Sequence, residues 1–186
     1  MILDLIIRTF WLMFPAYAVN SAAVFVGGGT PMDFGRKAKD GDRILGDGKT
    51  WRGFFGGSLA GVVIGLAMNW IALQLPENGY VVPFDRNYLY AAYVIALLSL
   101  GSMTGDAIGS YVKRRMKIPR GGKANLMDPL GFVVTAWAFV AIGATAWFVA
   151  YMWGVVPILT MVILTPLIHR LTNILGYKMG RKKVPW

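Results

Sequence analysis

The 186-residue sequence has no cysteine, a single histidine, and only 9 acidic residues against 19 basic ones. Lacking cysteine, the chain forms no disulfides and does no thiol chemistry, although this does not choose a compartment. Charged residues make up 15% of the chain while hydrophobic residues reach 56%, and mean hydropathy is +0.53. That balance excludes an ordinary soluble domain and points to an all-α integral membrane protein. No tandem repeat or long low-complexity segment is present, so the reading is one domain over 1–186.

Crossing a hydrocarbon core of roughly 30 Å takes about 20 helical residues. Five apolar runs reach that length, near 2–26, 54–75, 88–112, 129–152 and 155–176, the last two joined by a tight turn near Gly154. The run at the N-terminus contains "AYA" at Ala16–Ala18, but Asp4 and Arg8 interrupt it and no basic region precedes it. It is therefore read as a span and not as a cleaved signal.

Charge orients the spans. All basic residues except Arg8 and Arg86 fall in 27–53, in 113–126 or in the C-terminal tail. The segment 75–87, "LPENGYVVPFDRN", carries Glu77 and Asp85 instead. Basic segments stay cytoplasmic, so the expected topology is N-terminus out and C-terminus in, with cytosolic loops near 27–53 and 113–128. The tail "KMGRKKVPW" is explained by this rule and by attraction to anionic headgroups. Loops this short, held at a membrane, offer little surface for nucleic acid, and no nucleic-acid partner is expected.

The third span carries a polar stripe. Ser99, Ser102, Asp106, Ser110 and Lys113 recur at spacings of three and four, which is one face of a helix. Hydroxyl residues alone suit helix packing, but a carboxylate in a span is costly and marks a functional candidate. The bland alternative makes Asp106 a structural partner of Lys113 or Arg114. Asp128, before Pro129, reads equally as the N-cap of the fourth helix. Both aspartates nevertheless lie at one membrane depth beside a basic loop, where carboxylates can hold Mg²⁺ while cations hold phosphates.

The first basic segment contains "DGDRILGDGKTWRG", Asp40 to Gly53. Its Gly48-Lys49-Thr50 is not a Walker loop, because Arg43 stands where that pattern requires glycine and no strand precedes it. Glycines still let backbone N–H groups approach phosphate, and Lys49 and Thr50 precede a helix N-terminus that attracts anions. Thr50 also reads as an ordinary N-cap. Gly53, Gly57, Gly61 and Gly65 recur every fourth residue, as on a close helix-packing face.

Ser110-Tyr-Val-Lys113-Arg114, with Asp106 four residues earlier and Asp128 after "PRGG", resembles the signature of the phosphatidate cytidylyltransferases, the CDP-diacylglycerol synthases. "KTWRGFFGG", Lys49 to Gly57, is similar to a second block of that family. The chain's size, its five expected spans and "DGDRILGDGKTWRG" look closer to the archaeal branch, the CDP-archaeol synthases. The likeness covers the two loops and adjoining helix ends. It departs from the wider pattern at Gly131, where an aspartate is usual, at Pro129, where bacterial relatives carry arginine, and in lacking their histidine before the paired glycines.

The resemblance implies cytidylyl transfer from CTP to a phosphorylated, ether-type glycerolipid, with Mg²⁺ as cofactor and pyrophosphate as second product. It implies that Asp106 and Asp128 hold the metal, and that Lys113, Arg114 and Arg120 hold lipid phosphate or pyrophosphate. Arg43, Lys49 and Thr50 would cradle the nucleotide, and Ser110 would support a metal or phosphate oxygen. A lipid phosphate with a second pKa near 6 is largely dianionic at neutral pH and needs no general base, so His169 is not required for catalysis. Competing readings are a synthase acting on phosphatidate, a CTP-dependent polyprenol kinase that releases CDP, and a channel or transporter. A CDP-alcohol phosphotransferase is excluded, because "DGDRIL" lacks the alanine-arginine spacing of that motif, with Ile44 and Leu45 at those positions.

Overall fold

Lipid offers no hydrogen bonds, so apolar runs satisfy their own backbone as helices. The computed structural model describes residues 2–76, 79–119, 122 and 127–180. Over these residues it contains α1 (Ile2–Val26), α2 (Trp51–Gln74), α3 (Tyr88–Arg115), α4 (Met127–Gly143), α5 (Thr145–Tyr151) and α6 (Val155–Lys178). Four of them, α1, α2, α3 and α6, are long and apolar enough to cross a membrane. Large apolar side chains such as Leu59, Val63, Val162 and Leu171 are exposed on their surfaces, as expected of an integral membrane protein.

The fourth expected span is not one helix. It divides at Ala144, whose φ of −141° and ψ of 55° are non-helical. The Tyr93 hydroxyl on α3 donates to the Gly143 carbonyl at 2.9 Å, removing that acceptor from the helical ladder. The turn expected near Gly154 is present, with φ of 149° at that glycine. Helix α2 begins at Trp51, earlier than its apolar run, because Thr50 caps it by accepting from the Gly53 N–H at 3.1 Å.

The glycine face of α2 packs as its spacing predicts. A Cβ at Gly57 would lie 2.9 Å from the Val19 carbonyl oxygen, and one at Gly65 would lie 2.4 Å from Ile95 Cγ2. Helices α1 and α3 therefore approach α2 more closely than any side chain at those positions permits. Helix α3 meets α4 in the same way through Gly101 and Gly105. Leu12, Leu98, Val94, Phe132 and Trp147 belong to the resulting core, and Ser99 and Ser102 of the polar stripe are fully buried within it.

Helix α6 packs on α1 and α4. The Tyr17 hydroxyl meets Thr165 Oγ1 at 2.8 Å, tying α1 to α6 midway along both. At the other end of the bundle, Phe84 is buried under Trp147, and Asn69 Oδ1 accepts from the Phe84 N–H at 2.7 Å. Alternating chain direction gathers the C-terminal ends of α1, α3 and α6 with the N-terminal ends of α2 and α4. The described basic residues of 27–53, of 113–117 and of the end of α6 lie at this one end.

Candidate active site

The segment before α2 is tightly built, although the described residues contain no strand beyond two isolated bridges. Asp33 is its hub. Its side chain is fully buried and accepts from Arg43 Nη2 at 2.5 Å, from Arg43 Nε at 3.2 Å, and from the N–H groups of Leu45, Gly46 and Gly35 at 2.9–3.1 Å. Burial alone would raise its pKa, but the Arg43 hydrogen bonds and these backbone donors outweigh it and hold the carboxyl well below the usual carboxylate range. Arg43 also pairs with Asp47 at 2.5 Å, so the guanidinium expected to cradle nucleotide instead organises the loop that would do so.

Helix α3 anchors that loop from below. Ser110 Oγ donates to the Leu45 carbonyl at 2.9 Å, Arg115 donates to the Arg43 carbonyl and pairs with Asp40, each at 2.7 Å, and Lys117 pairs with Asp42 at 2.9 Å. The loop folds back over the end of α3 and delivers Lys49 to Asp106, whose carboxylate pairs with the lysine ammonium. The structural partner of Asp106 is thus Lys49, and neither Lys113 nor Arg114. Lys113 pairs with Asp128 at 2.6 Å, and Asp128 lies within the first turn of α4, not at its cap.

These groups share a cavity of about 510 Å³. Lys49, Thr50, Asp106, Lys113 and Asp128 line its polar end; Val24, Phe25, Phe54, Ile168 and Leu175 line an apolar flank. A smaller cavity of about 180 Å³ adjoins it, sharing Gly48, Lys49 and Lys113 and adding Ser110 and Arg114. Arg43 lines neither, and Arg120 lies outside the described residues. Sequence reasoning missed part of the wall: Asn20 from α1, and His169, Thr172 and Asn173 from α6. Asn20 Oδ1 is buried without a hydrogen-bond partner among the described residues, which leaves an acceptor at the cavity.

No group of three or more histidine, cysteine or acidic residues is arranged to hold a metal among the described residues. Two carboxylates on one cavity still fit Mg²⁺, a hard cation commonly held by one or two carboxylates with water and substrate phosphate completing its shell. At Gly131, a Cβ would meet only the Gly105 carbonyl oxygen, at 4.0 Å, so packing does not exclude a side chain there.

A family model described as "CarS-like: CDP-archaeol synthase" matches residues 2–186. The chain belongs to the CarS-like CDP-archaeol synthase family. Among members, the CDP-archaeol synthase of Pyrococcus horikoshii is 45% identical over 97% of each chain. That of Methanosarcina acetivorans is 46% identical over 94% of this chain and all of its own. A solved structure described as an intramembrane enzyme for archaeal membrane lipids biosynthesis aligns with a TM-score of 0.71 at 32% identity, covering 89% of this chain and 92% of that one. The likeness to the CDP-archaeol synthase family thus extends over residues 2–186 and not only over the two loops.

Asp33→Asn is expected to loosen the loop through Arg43, raising the half-saturating CTP concentration by roughly tenfold with a smaller effect on kcat. Steady-state kinetics check this, and an unchanged KM would mean the loop is held without the charge. Because the Asp33 pKa is depressed in the fold, its stabilisation is complete above the ordinary value of about 3.9 and is lost as pH falls through the lower folded value. The loop therefore survives mild acidification.

Proposed function

We propose that this one-domain chain transfers a cytidylyl group from CTP to a phosphorylated ether glycerolipid at the cavity bounded by Asp106 and Asp128. The observation that carries this reading is one cavity with two lysine–carboxylate pairs at one end and an apolar flank between helices. The polar end suits two phosphorylated substrates. The flank suits isoprenoid chains that stay in the bilayer while their phosphate reaches the charged groups.

In the reaction, an oxygen of the dianionic lipid phosphate forms a bond to the α-phosphorus of CTP, and the α–β bridging bond breaks to release pyrophosphate. No proton need be removed. What the site must do is bring two polyanions together in line and neutralise them, which is where positioning and electrostatics contribute most. Lys49, Thr50 and the N-terminus of α2 hold nucleotide phosphates. Lys113 and Arg114 hold lipid phosphate or departing pyrophosphate, a role the sequence resemblance also implies for Arg120, outside the described residues. Ser110 and Arg43 act through the loop they pin. Asp106 and Asp128 would hold Mg²⁺, which supplies charge neutralisation at phosphate oxygens.

The end that gathers the basic segments faces the cytoplasm, where CTP is supplied; the positive-inside rule supports this orientation. Incubating purified protein with labelled CTP, Mg²⁺ and either archaetidic-type or ester-linked phosphatidic lipid tests the function. CDP-lipid and pyrophosphate are expected, with the ether lipid preferred. With a polyprenol added as acceptor, release of CDP and a phosphorylated alcohol would indicate a kinase, and no nucleotide turnover would defeat the enzyme reading.

A further inference from the structure

Lys49 and Lys113 do two things at once in this structure. Each ammonium pairs with a carboxylate facing the larger cavity, Lys49 with Asp106 and Lys113 with Asp128. Each lysine also lines the smaller cavity, where Arg114 adds a third cation and Gly46 and Gly48 bring backbone close. The side chains of both pairs are between 19% and 36% exposed, so the pairs are partly buried yet open to ligands. The lysines therefore stand in the wall between a carboxylate side and a purely cationic side.

The geometry points to Lys49 and Lys113 as exchangeable counter-ions that make divalent-metal binding and nucleotide binding depend on each other. This rests on the metal-dependent reading of the same cavity. A divalent cation taking Asp106 and Asp128 must compete with two ammonium groups already paired there, and it then leaves those ammonium groups facing a doubly charged neighbour. Metal alone binds weakly for this reason. A nucleotide alone also binds weakly, because the lysines that would meet its phosphates are occupied by carboxylates. When both arrive, the flexible lysine stems turn from carboxylate to phosphate oxygen, and every charge keeps an opposite partner. No proton moves and no bond to the chain is made.

Linkage makes the coupling reciprocal: whatever factor nucleotide adds to metal affinity, metal adds to nucleotide affinity, with about 5–150-fold as the ordinary range. Arg114 and the small cavity are the receiving side, matched to a diphosphate. A lipid phosphate reaching the larger cavity before nucleotide and metal finds the lysines engaged, which favours nucleotide loading first.

The test uses the full-length protein in detergent, with Mn²⁺ as the metal probe read by electron paramagnetic resonance, and CTP without lipid. In wild type, Mn²⁺ affinity is expected to rise at least about tenfold when CTP is present, after correction for Mn²⁺–CTP in solution. Lys113→Met and Lys49→Met are each expected to bind Mn²⁺ alone about tenfold more tightly than wild type, and to lose most of the enhancement by CTP. If the methionine variants bind Mn²⁺ no more tightly while Asp106→Asn abolishes binding, the exchange is wrong and the metal site stands. If wild type binds no Mn²⁺ with or without CTP, the metal assignment falls, and the exchange with it. Should a variant fail to fold, wild type alone still decides the matter by acylation of its amines and mass spectrometry. Lys49 and Lys113 are expected to become more reactive with Mn²⁺ alone and protected again with CTP added, whereas unchanged labelling with Mn²⁺ bound overturns the proposal.

Discussion

Asp106→Asn is expected to lower cytidylyl transfer by about 10²–10³-fold or more while leaving the bundle folded. The side chain faces the cavity and is 36% exposed, so asparagine fits the same space without disturbing the core. What it removes is one negative charge from a site where Lys49, Lys113 and Arg114 already supply an excess of cations. A carboxylate that merely steadied Lys49 would give a different result: the loop would lose thermal stability, while turnover at saturating CTP would be largely kept. Loss of a metal ligand is not overcome by saturating CTP. Incorporation of labelled CTP, with circular dichroism and gel filtration in detergent, separates the two, and near-normal turnover would remove Asp106 from the site.

Features that repeat at the helical period are legible in the sequence. The stripe from Ser99 to Lys113 and the glycines from Gly53 to Gly65 stand out because polar or small residues recur on one face of otherwise apolar helices, and burial and close packing follow directly. Features set by partners distant in sequence are not. The break at Ala144 follows Gly143, a weak local signal among the many glycines of the spans, and the Tyr93 hydroxyl that meets the Gly143 carbonyl comes from fifty residues earlier. Asp33 looks like one more loop aspartate until Arg43 and three backbone N–H groups converge on it. Lys49 could be assigned to Asp106 only once the first loop was seen to fold over α3. The contribution of α6 could have been found. His169, Thr172 and Asn173 recur at three and four residues like the stripe on α3, but lack a carboxylate to single them out.

The position next to Asp106 carries the second large effect. Gly105→Ala is expected to destabilise the protein by about 1–3 kcal/mol, although alanine is the better helix former by about 1 kcal/mol. A Cβ at Gly105 would lie 1.8 Å from Thr135 Oγ1, 2.6 Å from the Gly131 carbonyl oxygen and 2.6 Å from Phe132 Cα. The hydroxyl can rotate away, but the other two contacts are backbone of α4, so α3 and α4 must separate. Asp106 follows Gly105 directly on α3, and Asp128 lies one turn before Gly131 on α4. Separation at this point therefore widens the gap between the two carboxylates. A displacement on the order of 1 Å is enough to cost about 10²-fold in rate, so catalysis should fall further than stability alone explains. Gly131→Ala is the control, since a Cβ there meets only the Gly105 carbonyl oxygen at 4.0 Å and the gain in helix propensity is left unopposed. Thermal midpoints of the two variants should diverge in opposite directions from wild type, while kcat/KM should fall for Gly105→Ala and stay near wild type for Gly131→Ala. Equal behaviour of Gly105→Ala and Gly131→Ala would mean that the approach of α3 to α4 does not set the spacing of the site.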